Sequence, residues 1–472
     1  MIERIWARAR QELSLEYDAA ALAVFRVTLG MLGTVSALRF LIYGWVDEFF
    51  VKPSFFFHYF GASWVQPLGP LGMRALLIAL SISGVMVALG FLFRPAVICF
   101  FALFTYLQLV DLSNYLNHYY LVSLLALLAA FMPLGRAYGL DGLLSGKPLR
   151  SLPAGYTWLL RFQIGVVYTF AGIAKITPDW LLHAQPLRIW LLSRVDMPLL
   201  GPLFAEPLTA YFMSWAGCLF DLSIPWFLSF RRTRAPAFAV VIAFHFMTRM
   251  LFPIGMFPFI MALSAMIFFS PSFPRRFLFG RWREALPSVP STTPTKTKIL
   301  FARRPLFMAA AALWSLFHLA FPFRTFFLYG GNVHWHEQGM RFSWRVMVRE
   351  KNASVTYRVQ DSRSGRVWEV QPRRYLSDRQ EREFGAQPDM ILQLAHHIAR
   401  EHEQSLGHRV RVFADVIVSL NGRPASRLID PNVDLSRIQD GISKAAWILP
   451  APTFEPPRLR PSRWNEWLHA QR

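Results

Sequence analysis

Nine long apolar runs dominate this sequence and restrict the folds that are open to it. Each run is long enough, or nearly so, to cross the hydrocarbon core of a bilayer as a helix of about 20 residues. They lie at residues 20–45, 71–93, 95–112, 117–134, 155–176, 207–230, 236–252, 254–270 and 306–328. We therefore expect a polytopic α-helical membrane protein with about nine transmembrane helices.

The composition agrees with a membrane protein that carries a soluble part. Charged residues make up 17% of the chain, whereas about a quarter is usual for soluble domains. Cys99 and Cys218 both fall inside apolar runs, which excludes a disulfide framework and a cysteine metal site. The charged N-terminal segment lacks an apolar core, so it is not expected to be a cleavable signal peptide.

Lysine and arginine residues alternate with the apolar runs from one predicted side of the membrane to the other. One side has eighteen of them, eight of which lie in the loop at 271–304, and the other side has three, Lys52, Arg188 and Arg194. Because positive loops stay in the cytoplasm, we expect the N-terminus inside and the C-terminal part outside. The formal charge of +21 thus reflects topology, and no nucleic-acid partner is expected.

The chain is predicted to consist of a membrane domain at residues 1–330 and a soluble domain at residues 331–472. Val410–Leu420 alternates between apolar and polar residues, which predicts a strand, and Asn421-Gly422 follows as a hairpin turn. Pro388-Asp389 has the pattern of a helix start. Further short strands are predicted at 356–360, 367–371 and 426–429. We expect an extracytoplasmic α+β domain with a small antiparallel sheet.

Residues 161–180 contain the strongest candidate for a functional side chain. The predicted fifth helix ends at Lys175, and Tyr168 is the only other ionisable residue between 162 and 176. A lysine at a helix end can extend to the lipid headgroups. The small residues 171–174, however, would let another helix pack closely and enclose the lysine in protein. A lysine kept neutral by apolar surroundings can act as a general base.

Two histidines are predicted to lie at the same membrane depth as Lys175. His118, preceded by Asn117, starts the fourth run after a short outer turn, and His245 lies near the outer end of the seventh run. An unpaired ionisable group inside a membrane costs roughly 3 kcal/mol on insertion scales, so such groups are functional candidates. Either histidine could instead have a structural role, His118 as a helix cap and His245 as a partner of a backbone carbonyl.

Familiar catalytic motifs are missing from the sequence. It contains no Gly-rich phosphate loop, no His-Glu-x-x-His and no nucleophile elbow. Two groups have spacings compatible with a metal: His334-x-His336 with Glu337, and His396-His397 with Glu401 and His402. The second group is more typical of a solvated helix face, and we expect no metal and no biotin. The chemistry would then depend on an organic, membrane-soluble cofactor such as a quinol, together with acid and base side chains.

These residues resemble the vitamin K-dependent gamma-carboxylase family, within a wider group of bacterial proteins that share its HTTM-type membrane domain. The resemblance covers both predicted domains in the same order. It is carried by Phe57-His58-Tyr59-Phe60-Gly61, Trp64-Val65-Gln66-Pro67, Asn117-His118-Tyr119-Tyr120-Leu121, residues 160–163 and 171–175, Phe220-Asp221-Leu222-Ser223, residues 252–257, Phe342-Ser343-Trp344-Arg345, residues 415–419 and residues 429–434.

The resemblance implies a mechanism and roles for particular residues. A lysine at the position of Lys175 deprotonates reduced vitamin K (phylloquinol or menaquinol), and O2 addition then generates a strong base. That base removes the γ-proton of a substrate glutamate, CO2 is captured, and quinone epoxide is released. Asn117 and His118 match the pair beside the cofactor, and His245 would join them. Residues 338–349 match the glutamate-docking segment, in which Trp344 and Arg349 would hold the substrate.

The implied protein is a gamma-glutamyl carboxylase, a lyase with coupled epoxidase activity, which makes gamma-carboxyglutamate in a protein or peptide as a post-translational modification. It would lie in a bacterial inner membrane, in contact with lipid and quinone, with its C-terminal domain in the periplasm. The soluble part has no cysteine, so the interdomain disulfide of animal members cannot form. The Lys-Lys pair of animal members is Ala174-Lys175 here, which keeps only the second lysine. A non-carboxylating quinone- or lipid-binding membrane protein with a partner-binding external domain is the alternative. A transporter is less favoured, because the sequence has no repeated halves.

Overall fold

The computed structural model describes residues 11–13, 15–277 and 305–457, and each of the nine apolar runs contains a helix. These helices are α1 (Ala20–Ile42), α2 (Gly69–Leu89), α3 (Phe93–Leu109), α4 (Asn117–Ala130), α5 (Ala154–Ile173), α6 (Pro207–Ser229), α7 (Arg234–Leu251), α8 (Phe257–Ala265) and α9 (Pro305–Ala320). The predicted cytoplasmic charges at 1–10 and at 278–304 lie outside the described residues.

Four of the described helical segments are long and apolar enough to cross a membrane, and the protein is an integral membrane protein. They are Ala20–Ile42, Gly69–Leu89, Arg234–Leu251 and Leu306–Tyr329, and three shorter apolar helices accompany them. Helices α5 and α6 have the length of a span but carry polar residues such as Arg161, Gln163 and Asp221. The count of nine spans and the orientation in the membrane therefore stay predictions.

Two buried arginines stabilise the end of the bundle farthest from the C-terminal domain. Arg26 of α1 donates from Nη1 to the carbonyl oxygens of Leu134 and Ala137 at 2.8 and 3.0 Å. Arg161 of α5 donates from Nε to the carbonyl of Ile267 at 3.0 Å. Backbone carbonyls accept most of the hydrogen bonds of these guanidinium groups, although Arg26 Nε has no partner among the described residues, and this bonding to backbone indicates a structural role.

The C-terminal domain is built on an antiparallel sheet of four strands. They are β3 (Lys351–Asp361), β4 (Val367–Val370), β5 (Val410–Leu420) and β6 (Ser426–Arg427), in the order β4-β3-β5-β6, while β1 (Glu16–Asp18) and β2 (Ser151–Pro153) pair separately in the membrane domain. Every second residue of β5 is buried, as the alternation predicts. The predicted turn follows β5, with Asn421 and Gly422 at φ of 52° and 78°. Helix α10 (Asp378–Phe384) precedes α11 (Pro388–Leu406), whose apolar face packs on the sheet.

Each domain contributes a side chain to the hydrophobic core of the other domain. Phe57 from the loop after α1 belongs to the core of the C-terminal domain, whereas Trp344 packs into the core of the helical bundle. Asp179, which follows α5 closely, accepts bidentate hydrogen bonds from Arg423 at 2.6 Å each, and a third at 2.6 Å from Asn421. This contact anchors the tip of the β5 hairpin beside the end of α5, where Lys175 lies.

Candidate functional site

Lys175, just beyond the end of α5, forms a buried ion pair with Asp221 of α6. Its Nζ donates to Asp221 Oδ2 at 2.6 Å and to the carbonyl of Ala171 at 3.2 Å. The two charged side chains are only 7% and 8% exposed. The expectation of a lysine among apolar groups alone is therefore wrong in one respect, because a carboxylate lies against it. The pair offsets the cost of burying either charge, and a proton can pass between its two members.

Helix α6 reaches Lys175 because α5 carries a glycine where the two helices touch. A Cβ at Gly172 would lie 2.7 Å from the side chain of Leu222 and 2.9 Å from its backbone nitrogen. Only a residue without a side chain permits this approach. The small residues before Lys175 thus have the packing role that the sequence predicted for them, and the approach brings Asp221 within reach of the lysine.

A small cavity, the lysine cavity, lies between α5, α6 and α7, with Lys175, Asp221, Tyr168 and His245 among its lining residues. The Tyr168 hydroxyl and His245 Nε2 are 3.0 Å apart, and the buried Nδ1 of His245 has no hydrogen-bond partner among the described residues. The remaining lining is largely apolar and aromatic, including Trp180, whose ring centroid is 5.3 Å from Lys175 Nζ. The cavity has a volume of about 90 Å³. For comparison, a single water molecule needs a volume of roughly 10–15 Å³.

A larger cavity of about 950 Å³, the arginine cleft, adjoins the first. Asn117 and His118 line it, together with Arg39, Arg379 and Arg382. His118 is 7% exposed, and in the described parts of the chain its ring nitrogens meet no hydrogen-bond partner. Its ring nitrogens are not among the fully buried polar atoms of the described residues, so they stay accessible from the cleft that His118 lines. His118 therefore keeps hydrogen-bonding capacity for a ligand in the cleft.

Phe257, at the start of α8, separates the two cavities and contacts both histidines. Its ring centroid lies 5.8 Å from that of His118 and 5.7 Å from that of His245. Val346 and Met347 of the C-terminal domain also line both cavities. The ring of Phe257 thus lies between His118 and His245, and Lys175 lines the same cavity as His245. Their common depth in a membrane stays a prediction.

Residues 338–349, which match the expected glutamate-docking segment, follow an irregular path, and Val346 and Met347 of this segment line both cavities. Phe342, Trp344 and Met347 have positive φ angles of 62°, 58° and 51°, a conformation that costs such residues on the order of 1 kcal/mol or more. Trp344 is 1% exposed and stacks on Tyr120 with ring centroids 4.9 Å apart. It lines neither cavity, so its substrate-binding role stays a prediction and its visible contact positions the segment.

Arg349 is paired with a carboxylate of its own chain. Its Nε lies 2.7 Å from Glu337 Oε1 and its Nη2 donates to Oε2 at 2.9 Å. Lys351 Nζ also donates to Glu337, at 3.2 Å, and to two backbone carbonyls at 2.6 Å. Burial lowers the pKa of Lys351 to about 8, although Glu337 acts in the opposite direction. Glu337 thus occupies the Nε and Nη2 side of the Arg349 guanidinium, and the substrate-binding role of Arg349 stays a prediction.

The histidines with metal-compatible spacing make contacts within the C-terminal domain. His334 Nε2 faces Arg345 at 3.3 Å, and His336 Nε2 lies 2.8 Å from the carbonyl oxygen of Gly330. His396 Nε2 lies 2.8 Å from the carbonyl oxygen of Ile438. Within the ranges that the structure describes, no group of three or more His, Cys, Asp or Glu side chains is placed to hold a metal ion.

Asp221 is the functional candidate that the sequence reasoning missed. It is the only charged residue in the sixth apolar run, and Lys175 is the charged residue at the end of the fifth run. Opposite charges in consecutive apolar runs predict a pair, because each would otherwise be isolated in the membrane. The Tyr168–His245 contact had no comparable signal, since a tyrosine and a histidine are both common in apolar helices near an interface.

The lysine cavity is suited to a flat, mostly apolar molecule with hydroxyl or carbonyl groups. Its walls are largely aromatic and aliphatic, while Lys175 and His245 present a donor and an unpartnered ring nitrogen. Binding sites for organic cofactors combine apolar walls with a few placed polar groups in this way. The donor and acceptor groups of Lys175, Tyr168 and His245 are chemically suited to the oxygens of a quinol.

Comparison with known proteins assigns both parts of the chain. Residues 15–273, more than half of the sequence, match the HTTM domain. Residues 303–453 match the lumenal domain of vitamin K-dependent gamma-carboxylase. No solved structure matches the chain. With an HTTM domain followed by this lumenal domain, the chain belongs to the vitamin K-dependent gamma-carboxylase family.

Proposed function

We propose that this protein is an integral membrane vitamin K-dependent gamma-glutamyl carboxylase with coupled epoxidase activity. In this reaction the γ-C–H bond of a glutamate breaks and a C–C bond to CO2 forms. The hydroquinone is oxidised to its epoxide while O2 is reduced, one oxygen atom entering the epoxide and the other leaving as water. The observation that carries the proposal is the buried Lys175–Asp221 pair, which lines an apolar cavity beside the unpartnered His118.

Lys175 and Asp221 would act together as the proton acceptor. Reduced vitamin K, when bound, supplies the reducing equivalents for O2 and the strong base that glutamate γ-deprotonation requires. Lys175 Nζ takes the proton of a bound hydroxyl group after its own proton has passed to Asp221 Oδ2, which is 2.6 Å away. Because the exchange within the pair creates no net charge, the buried site does not have to solvate a new ion.

The two histidines would orient the reacting groups from opposite sides of Phe257. His245, held at Nε2 by the Tyr168 hydroxyl, has Nδ1 free for an oxygen in the lysine cavity. His118 presents its ring to the arginine cleft and would assist the oxygenation stage, with Asn117 beside it. The ring of Phe257 and the apolar walls exclude water, which would otherwise quench a strong base.

We further infer that the protein lies in a bacterial inner membrane, with a cytoplasmic N-terminus and an extracytoplasmic C-terminal domain. The distribution of lysine and arginine between the loops supports this orientation. The substrate would then be a glutamate-containing protein or peptide outside the cytoplasm. The native cofactor would be phylloquinol or menaquinol, with O2 and CO2 as co-substrates.

The experiment uses the purified protein in nanodiscs with vitamin K hydroquinone, O2, labelled CO2 and a short glutamate-containing peptide. Two products are followed, acid-stable label in the peptide and quinone epoxide. We expect wild type to form both and Lys175→Ala to form neither. Lys147→Ala, which alters an exposed lysine in a loop, should match wild type and serves as the control.

The two products separate the possible outcomes. Neither product from wild type, with quinol still bound, would replace the proposal with the alternative, a non-carboxylating quinone- or lipid-binding protein. Full turnover by Lys175→Ala would show that the lysine is not the base. Epoxide without label would confirm the quinol chemistry and contradict the chosen peptide as substrate.

A further inference from the structure

Three arginines line the arginine cleft without forming an ion pair among the described residues, although the charges of Glu383 and Asp111 act on one of them, Arg379, through space. Arg39 comes from the end of α1, and Arg379 and Arg382 come from α10 of the C-terminal domain. Over the described ranges, none of these guanidinium groups forms an ion pair or hydrogen bond. Arg39 lies over Trp45 at 5.0 Å and Arg379 over Phe49 at 3.9 Å, so aromatic rings hold two of them in place.

Three other arginines near the domain junction are neutralised by carboxylates of their own chain. Arg341 pairs with Asp389, Arg349 with Glu337 and Arg423 with Asp179. The acidic residues of the cleft do not compensate its arginines in the same way. Glu48 is bound to Lys52, and Asp378 makes no ion pair within the described ranges. The cleft thus carries an excess of positive charge that a ligand could neutralise.

We propose that the arginine cleft binds an acidic peptide, through carboxylates that pair with Arg39, Arg379 and Arg382. This inference rests on the proposed function and names the surface that would receive its substrate. Guanidinium groups are suited to carboxylates, because two parallel N–H donors match the two oxygens. The cleft measures about 950 Å³, which leaves room for several residues of an extended chain.

The position of the cleft fits delivery of a glutamate to the lysine cavity. Its lining includes His118, Phe257, Val346 and Met347, and the last three also border the lysine cavity. A peptide held by the arginines would therefore place one side chain beside Phe257. A lipid phosphate is a weaker fit, because Arg379 and Arg382 belong to the soluble domain and only Arg39 belongs to a membrane helix.

Equilibrium binding of a labelled peptide tests the proposal without any need for turnover. A fluorescent peptide with four glutamates is titrated with the protein in phosphatidylcholine nanodiscs, and anisotropy is followed. The variant combines Arg39→Gln, Arg379→Gln and Arg382→Gln. We expect its Kd to rise about a hundredfold, since one charged hydrogen-bonded contact is worth roughly tenfold and losses in one network add incompletely. Higher ionic strength should weaken wild-type binding.

The matched control removes the same charge from exposed arginines elsewhere in the C-terminal domain. It combines Arg366→Gln, Arg409→Gln and Arg411→Gln and should bind the peptide within about threefold of wild type. Replacing the three cleft arginines with lysine keeps the charge but loses the paired N–H donors, so its affinity should lie between those of wild type and the triple glutamine variant. This second variant separates charge pairing from a folding defect.

Two results would overturn the proposal. One is unchanged peptide binding by the triple glutamine variant, and the other is equal wild-type binding of a peptide with glutamine at the four positions. If the triple glutamine variant binds the peptide as wild type does but no longer retains phosphatidylglycerol in native mass spectrometry, the cleft is a lipid site. A wild type that binds the peptide but does not carboxylate it would contradict the proposed function and leave the binding inference intact.

Discussion

The protein buries two lysines against carboxylates, one in each domain, and their surroundings differ in one respect. Lys351 donates to Glu337 and to the carbonyl oxygens of Trp335 and Ala386, which uses all three of its N–H groups. Lys175 donates to Asp221 and to one carbonyl only, so one N–H lacks an acceptor among the described residues. Only Lys175 lines a cavity among those described above.

This difference shows that burial and ion pairing do not by themselves mark a reactive lysine. Both side chains are buried and both have an acidic partner. Lys175 differs because one of its N–H groups has no acceptor among the described residues and because its side chain lines a cavity that a small molecule can enter. The same criterion selects His118 and His245, which line these cavities, over His334, which is similarly buried but lines neither of them and faces Arg345.

The strongest test replaces the two lysines one at a time. Lys175→Met should lower epoxide and label formation about a thousandfold or more, because general-base removal typically costs 10² to 10⁴. Lys351→Met should leave turnover per folded molecule within about threefold. Its main effect should be a loss of roughly 1–3 kcal/mol in the free energy of unfolding, from the carbonyls left unpaired. Turnover and thermal unfolding of each variant are measured; equal activity losses would remove the distinction between the two lysines.

The carboxylates that pair with the two lysines should differ in the same way, with Asp221 affecting turnover and Glu337 affecting stability. Asp221→Asn keeps the shape of the side chain but cannot accept the proton of Lys175, so turnover should fall roughly a hundredfold with little change in the KM for quinol. Asp221→Glu should restore part of the rate. Glu337→Gln should act on stability, because Arg349 and Lys351 lose their common partner. The pH–rate profile of each variant is the readout, and a profile for Asp221→Asn identical to that of wild type would show that Asp221 has no part in proton transfer.

A substitution at Gly172 can disrupt the close approach of α5 and α6 while Lys175 and Asp221 stay unchanged. Gly172→Val would force Leu222 and its backbone away, which should cost about 1–3 kcal/mol of stability and separate Lys175 from Asp221. Turnover should fall about tenfold or more as the pair lengthens. Gly165→Ala on the same helix is the control, because its added Cβ would meet only Pro225 Cβ, at 3.8 Å. Activity is measured beside thermal unfolding, and full activity in Gly172→Val would show that the helix contact does not set the pair.

The smallest effect is a pH dependence that comes from Lys351. Its pKa is about 8 in the folded state against an ordinary value of 10.5. Between these two pH values the unfolded chain binds more protons, so this group makes stability rise with pH, by at most about 1.4 kcal/mol per pH unit. Below pH 8 both states are protonated and the slope disappears.

The measurement is the free energy of unfolding of wild type and Lys351→Met from pH 7 to pH 10. The difference between the two proteins should change across pH 8 to 10 and be level below pH 8. A difference that stays level throughout would contradict the lowered pKa of Lys351. Such a result would mean that Glu337 and the two carbonyls stabilise the charged form of Lys351 more than burial destabilises it. The two buried lysines would then differ less than the structure indicates.

Local patterns in the sequence determined a large part of the fold. Apolar runs have the length of helices, alternation places one face of β5 inside, and Asn421-Gly422 supplies the positive φ angles that its turn requires. The resemblance to the carboxylase family also rested on motifs that can be seen in the sequence alone. Each of these signals depends on residues close together in the chain, whose backbone preferences act before any tertiary contact exists.

Tertiary structure alone decided which charges meet. The sequence contains Lys175 and Asp221, but only the contact at Gly172 brings them to 2.6 Å. Arg349 has the chemistry to bind a substrate carboxylate, but in the fold it pairs with Glu337. Arg379 has no distinguishing sequence pattern, and in the fold it lies over Phe49 without forming an ion pair among the described residues. Ion pairing depends on ångström-scale distances between side chains from remote segments, and hydrophobic periodicity carries no information on those distances.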